Sequence, residues 1–392
     1  MTQAPSHTRW PLVFLLWGAG LGAAAQYGKV SVVFDQLPQL FPEAGTLLGW
    51  VVSLVGGVGI LLGVTAGVVV ARLTVRRALV WGLWLGAAVS LLQGLAPPLW
   101  LFLLSRLLEG LSHLAIVVAA PTLIASLSAT RDRGVTLTLW GTFFGVAFAI
   151  LTWLGLPLAA WLGVPALFAA HGVFMAAAAL AIGAALPKEP APTGPLWIKP
   201  DLGALWAKHV QIYRSPRLGA PAAGWLFYTF CFVSLLTLLP PYLDPAQRTF
   251  LIGAMPLVSI TASLTLGVWL LRRVSSVTVI QIGFLSSAVC AVALIIWPGH
   301  AVLCLIFAAC LGLVQGASFA SVPDLNPTAE GRILSNGAMA QTGNIGNTLG
   351  TPVLFAISVG LGYSAMLITL GFVLCLGAMA HGVLALRRRA EG

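Results

Sequence analysis

The sequence predicts an all-α integral membrane protein: twelve transmembrane helices forming two pseudo-symmetric six-helix bundles (6+6) around a central cavity. Three observations lead there. Only 8% of the 392 residues are charged and 59% are hydrophobic, with a mean hydropathy of +0.98, whereas a soluble domain carries about 25% charged residues. The chain divides into twelve apolar runs of roughly 20 residues, the length that crosses a bilayer. One long polar connection, 187–217, separates them six from six.

In chain order the expected spans are 12–34, 47–70, 78–96, 99–122, 135–160, 164–186, 218–240, 247–271, 275–297, 301–322, 332–358 and 363–386. The N-terminal bundle is therefore 1–186, the cytoplasmic linker 187–217 and the C-terminal bundle 218–392. WPLVFLLWGAGLGAAAQ, behind Arg9 and running into Ala23-Ala24-Ala25, has the outline of a signal peptide. Cleavage there would leave an odd number of spans, so the stretch is read as an uncleaved first helix. The linker opens Pro-rich and cannot begin as a helix. From Asp201 to Tyr213 it predicts an amphipathic helix on the membrane surface, with Leu202, Leu205, Trp206 and Val210 on one face.

The net charge of +10 invites a nucleic-acid reading, and the placement of the charges excludes it. Arg9, Arg72, Arg76, Arg77, Arg131, Arg133, Lys188, Lys199, Lys208, Arg214, Arg217, Arg272, Arg273, Arg332 and Arg387 to Arg389 all fall on one side of the expected spans, against Arg248 alone on the other. By the positive-inside rule both termini are cytoplasmic, in a bacterial inner membrane. Cys231, Cys290, Cys304, Cys310 and Cys375 lie in apolar runs without metal-ligand spacing and read as small core residues. Neither a cofactor nor a metal is expected. The expected partners are a small-molecule substrate, H⁺ and the lipid bilayer, and the protein is expected to act as a monomer.

The two halves look related. EGLSH (109–113) answers QGASF (315–319), and ARL (71–73) answers LRR (271–273). Internal repeats of this kind mark secondary transporters, which bind substrate at the repeat interface. Between the second and third spans the chain reads Gly67-Val-Val-Val-Ala71-Arg72-Leu-Thr74-Val-Arg76-Arg77, and the fourth carries Arg106 and Gly110 as R-x-x-x-G. With the 6+6 organisation and the long central loop, these features resemble the major facilitator superfamily over essentially the whole chain, and the general look is similar to its cyanate-permease-like anion porters. The family's loop motif is G-x-x-x-D-R-x-G-x-R-R. The resemblance implies a cytoplasmic gate at Gly67, Arg72, Arg76 and Arg77. The motif's aspartate is Ala71 here and its second glycine is Thr74, so the gate must latch through other groups.

Ionisable residues inside spans carry the chemistry, because a central Arg, Lys or Asp costs about 2.5 to 3.5 kcal/mol on insertion scales. In RLLEGLSHL, Arg106, Glu109 and His113 fall within about 60° of one helical face. The bland account is a buried Arg106–Glu109 pair that organises packing, with His113 a hydrogen-bonded core histidine. The functional account has Arg106 drawing in substrate while Glu109, or else His113, accepts the coupling proton. Lys29 is the other intramembrane cation, at a similar depth to Arg106. It either snorkels outward or, the preferred reading, faces the cavity with Gln26. Asp35 reads as a solvated loop residue.

In the eleventh span Gln341, Asn344 and Thr348 repeat the same i, i+3, i+7 arc. They are expected to meet substrate, although helix–helix hydrogen bonding beside Gly343, Gly346 and Gly350 is the plainer account. Trp225 and Tyr228 add an aromatic wall or are ordinary core. His171 and His381 read as isolated core histidines. Two intramembrane cations against one carboxylate suit a small anionic or zwitterionic substrate, so the expected function is proton-coupled uptake by alternating access, without enzymatic activity. The rival within the same fold is proton-coupled efflux, whose family motif G-x-x-x-G-P lacks its proline here, since Gly141 and Gly145 are followed by Val146. A membrane sensor or an intramembrane enzyme is the remote alternative.

Overall fold

The computed structural model describes residues 6–62, 74–187 and 202–391. Among them the chain is all helical. The helices are α1 (Trp10–Ser31), α2 (Leu48–Ser53), α3 (Val75–Gln93), α4 (Leu99–Leu127), α5 (Phe143–Leu162), α6 (Val164–Ala185), α7 (Leu202–Arg214), α8 (Gly219–Leu238), α9 (Pro245–Leu271), α10 (Ser276–Ile296), α11 (Ala301–Leu325) and α12 (Ala329–Glu391). A short helix, Arg133–Gly141, leads into α5.

Nine of the described helices are long and apolar enough to cross a membrane, or ten if the bent pair Gly45–Ser53 and Val55–Leu62 is one broken span. The difference from twelve runs has physical causes. α1 is not among the nine, because Gln26 and Lys29 dilute its second half. The second run extends beyond the described residues. α12 covers both of the last two runs; it breaks at Gly362, where φ is +85°, a backbone state that glycine alone adopts without penalty. Gly163 makes the same kind of corner between α5 and α6, with φ +87°.

Helix starts follow local chemistry. Asp244 accepts from the Ala246 N–H ahead of α9, and Ser275 from the Thr278 N–H ahead of α10, satisfying donors that a helix start leaves open. Thr74, before α3, sits at φ +71°. The related family motif carries glycine at this position, so the backbone keeps the glycine conformation while a β-branched side chain occupies it.

Contacts divide the chain into two units. Unit 1 comprises Met1–Gly45 with Gly57–Trp197; unit 2 comprises Thr46–Gly56 with Ile198–Gly392. Unit 1 has an apolar core built on Val13, Leu16, Leu83, Ile116, Ile124, Met175 and Ile182. Farther along α1 the buried residues turn polar, at Gln26 and Lys29. The change is possible because α3 brings Gly86 there: a Cβ at Gly86 would lie 2.6 Å from the Ser112 Oγ and 3.0 Å from the Gln26 Nε2. In unit 2, α12 approaches α8 through glycines. A Cβ at Gly346 or Gly350 would lie within 2.4 Å of a carbonyl oxygen of α8, and one at Gly343 within 2.7 Å of the Trp225 Nε1.

Candidate functional site

A buried ionic network joins four helices of unit 1. At its centre is Glu109 on α4, with no exposed surface. Its Oε1 accepts from the Lys29 Nζ at 2.7 Å. Its Oε2 accepts from the Arg106 guanidinium one turn earlier and from the Gln93 Nε2 at 3.0 Å. Both cations are fully buried. With neutral histidines the trio carries one net positive charge.

Each cation is held by more than the carboxylate. Lys29 Nζ also donates to the Ser90 Oγ at 2.6 Å and lies 3.2 Å from the His171 Nδ1. Those three contacts match the three donors of an ammonium group. A second arm of Arg106 donates to the Gln26 backbone carbonyl at 2.7 Å. Gln26 in turn donates from Nε2 to the Ser112 Oγ at 2.8 Å, and Ser112 donates to the Gly82 carbonyl at 2.7 Å. α1, α3 and α4 are thereby tied together by polar bonds where the surroundings are apolar; Phe168 lies under the Lys29 Nζ, 5.6 Å from its ring centre.

Carbonyl partners settle the histidine tautomers. His171 Nε2 is 2.9 Å from the Gly22 carbonyl oxygen, which only accepts, so Nε2 carries a proton. In the neutral ring, Nδ1 then accepts. It faces the Ser90 Oγ at 2.8 Å, while the same hydroxyl lies 3.3 Å from the Glu109 Oε1. Ser90 has one proton for these two acceptors, and the single Nδ1 lone pair is shared with the Lys29 Nζ, so Ser90 bridges Glu109 and His171. His113 Nδ1 donates to the Ala23 carbonyl at 3.0 Å, and its ring meets Tyr27 edge-on at 5.3 Å. Three buried polar atoms here have no hydrogen-bond partner among the described residues: Gln26 Oε1, Tyr27 OH and Gln93 Oε1. Such atoms in a buried polar cluster mark where a water or a ligand atom is accommodated.

The structure brings Gln26, Lys29, Arg106 and Glu109 into one network and sets His113 beside it. Lys29 does not snorkel; it turns inward with Gln26 and is fully buried. The ammonium turns into the bundle because a carboxylate, a hydroxyl and an imidazole meet it there, so it needs no water. Asp35 is exposed. His171 is no isolated core histidine; it is the sixth-helix arm of the network. Ser90, Gln93, Ser112 and Tyr27 were not singled out by sequence either. Ser90 and Gln93 did leave a signal, two polar residues at i, i+3 inside an apolar run. His171 left none.

Of the residues expected at the gate, Gly67 and Arg72 lie outside the described residues. Arg76 donates to the Gly183 and Leu186 carbonyls, capping the end of α6, and Arg77 is half-buried nearby.

Unit 2 holds the remaining candidates. On α12 the glycine face packs on α8, and the Gln341, Asn344 and Thr348 stripe lies on roughly the opposite face. Gln341 Oε1 accepts from the Tyr213 hydroxyl at 2.8 Å, Asn344 donates to the Ala340 carbonyl at 2.8 Å, and buried Thr348 has no partner for its hydroxyl among the described residues. Trp225 and Tyr228 stack at 4.7 Å, and Phe319 of α11 meets Trp225 at 4.8 Å. Among the described residues, no group of three or more His, Cys, Asp or Glu side chains is placed to hold a metal ion.

Comparison with known proteins agrees with this architecture. The sequence pattern of the Major Facilitator Superfamily matches residues 16–351. No curated protein matches the chain. Among solved structures, a bacterial homologue of the human lysosomal transporter Spinster, in an inward-facing and occupied conformation, superposes with a TM-score of 0.77 at 14% identity, covering 96% of this chain and 97% of that one. At that identity the likeness speaks for the fold.

Proposed function

Since the chain belongs to the major facilitator superfamily and is therefore a multi-pass membrane transporter, we propose that it takes up a small anionic or zwitterionic solute together with H⁺, by alternating access. In this reading it has twelve spans in two bundles of six (1–186 and 218–392, joined by 187–217) around a central cavity. It sits as a monomer in the inner membrane with both termini cytoplasmic, and Gly67, Arg72, Arg76 and Arg77 serve the cytoplasmic gate.

One observation carries the proposal: a single buried carboxylate, Glu109, is shared by two buried cations, Lys29 and Arg106, which leaves the trio one net positive charge. A proton taken up by Glu109 removes the negative charge of this trio. Lys29 and Arg106 then stand buried without a counter-ion, which is costly, and an incoming anion relieves that cost. Proton and anion therefore favour each other's binding, and by linkage the effect is reciprocal. Two ligands that bind best together are carried together. The Ser90–His171 arm supports proton entry to Glu109, and His113 is the second candidate for the proton. Gln26, Gln341, Asn344, Thr348, Tyr228 and Trp225 are the proposed polar and aromatic contacts to substrate. The resemblance to cyanate-permease-like porters points to the same substrate class. Efflux of drugs or metabolites in exchange for H⁺ is the rival reading.

Proteoliposomes containing a pH-sensitive dye test the proposal against a panel of small inorganic and organic anions, zwitterions and lipophilic cations. One anion class is expected to acidify the lumen as it enters, and Glu109→Gln is expected to exchange that anion without moving protons. Proton exit driven by lipophilic cations, indifferent to Lys29→Met and Arg106→Gln, would replace uptake by efflux.

A further inference from the structure

Unit 2 has a groove that the transport reading does not use. It is a cavity of about 380 Å³ between α8 and the part of α12 that follows Gly362, lined by Ala223 and Phe227 on one side and Leu376, Met379 and Val383 on the other, with Tyr213 of α7 at one end. From Gly219 to Phe227, and from Leu384 back to Leu376, the groove runs about 12 Å along each helix. Its walls are apolar, and Met379 and Val383 are exposed.

The end near Tyr213 is strongly basic. Arg387 donates to the Arg214 carbonyl at 3.1 Å and Arg388 to the Pro216 carbonyl at 2.8 Å, which gathers Arg387 and Arg388 with Arg214 and Arg217. Partial burial, and after it the like charge of Arg217, lower the pKa of the Arg388 guanidinium from its ordinary value. The ion pairs among the described residues are Lys29–Glu109, Arg106–Glu109 and Arg131–Asp132, so none of the described carboxylates pairs with any of these four arginines. Three of the four are exposed. Burial raises the Tyr213 phenol above its usual range, so it stays protonated as donor to Gln341, and its ring closes the groove. On the same helix Trp206 is exposed, a side chain that favours the membrane interface.

We propose that this groove binds an anionic phospholipid, its phosphate held by Arg214, Arg217, Arg387 and Arg388 and one acyl chain lying between α8 and α12. The pairing of an apolar channel with a basic mouth is what selects an amphiphile over a free anion: a soluble phosphate has no use for Phe227, Met379 and Val383. Charge complementarity selects an acidic headgroup over a zwitterionic one.

The test uses the full-length purified protein in a neutral detergent and measures thermal stability with dioleoyl-phosphatidylglycerol, dioleoyl-phosphatidylcholine or inorganic phosphate added, with native mass spectrometry counting bound lipid. Phosphatidylglycerol is expected to raise the melting temperature by several degrees and to remain bound, while the other two have little effect. Arg387→Gln with Arg388→Gln is expected to weaken phosphatidylglycerol binding at least tenfold. Met379→Trp, which fills the groove and leaves the arginines in place, is expected to do the same, and it carries the test if the double variant does not fold. Equal protection by phosphatidylcholine would overturn the headgroup assignment. Equal protection by inorganic phosphate would overturn the groove, as would phosphatidylglycerol binding that survives Met379→Trp.

Discussion

α4 of unit 1 and α11 of unit 2 carry the similar stretches EGLSH and QGASF, and each packs tightly on the helix before it. A Cβ at Gly82 of α3 would lie 3.3 Å from the Ser112 carbonyl oxygen of α4, and one at Gly283 of α10 would lie 2.9 Å from the Cys310 carbonyl oxygen of α11. What they bury differs. α4 carries Arg106 and Glu109 inside a network whose charges are all met, whereas α11 has Gln315 where α4 has Glu109, and its buried Ser318 has no partner among the described residues. Unit 2 leaves Ser287 and Thr348 in the same condition. A neutral hydroxyl left without a partner costs about 1 to 3 kcal/mol; an unpaired buried ion costs several. Loose neutral groups are therefore tolerated in both units, Gln26 Oε1 and Gln93 Oε1 of unit 1 included, whereas the buried ions of unit 1 are all paired.

The contrast breaks most visibly at Glu109 itself. Glu109→Ala leaves two cations buried and is expected to destabilise by about 3 to 5 kcal/mol, seen as loss of folded protein in a detergent melt. Gln315→Ala at the related position is expected to cost under about 1 kcal/mol. Equal losses would mean that α4 and α11 bury equivalent interactions. The reverse experiment, Gln315→Glu, adds a carboxylate to unit 2 without supplying cations. It is expected to cost about 2 to 4 kcal/mol, in line with intramembrane insertion scales, and a neutral result would show counter-charges available there.

Hydroxyls sharpen the comparison at a finer level. Ser90→Ala removes contacts to Lys29, His171 and Glu109 and is expected to cost about 1 to 3 kcal/mol. Ser287→Ala removes a group without a described partner and is expected to stay within about 0.5 kcal/mol of wild type, or to stabilise. The smallest effect is expected at Thr74. Its positive φ costs a β-branched residue about 1 to 2 kcal/mol, of which glycine returns part through its greater unfolded-state freedom. Thr74→Gly is expected to raise the melting temperature by one to a few degrees; a drop would mean that the threonine side chain contributes more than its backbone strain.

Much of this was legible in the sequence, and the limits follow from distance along the chain. The helices follow from apolar run length, and the corner at Gly362 falls between two expected spans. The Arg106–Glu109 pair is visible because i and i+3 share a helical face. The partners that make the pair a network lie far off: Lys29 is 80 positions from Glu109, and His171 is 142 from Lys29. No periodicity in a single helix reports contacts of that range. Lys29 faces inward with Gln26, but which groups meet it there, Glu109, Ser90 and His171, depends on helices far off in the sequence. On α12 the glycines and the polar stripe fall on opposite faces by periodicity alone, whereas the helix that the glycines pack on, α8, is set by long-range contacts.

The most direct test of the central claim is the affinity of the transported anion as a function of pH, in wild type and in Glu109→Gln, measured by thermal shift or calorimetry on the purified protein. If Glu109 releases Lys29 and Arg106 when it takes a proton, wild-type affinity strengthens as pH falls, with a limiting slope of about tenfold per pH unit for one linked proton, while Glu109→Gln binds with an affinity that pH does not change. An unchanged slope in Glu109→Gln, or a flat wild type, would contradict the account and leave the network a structural clamp.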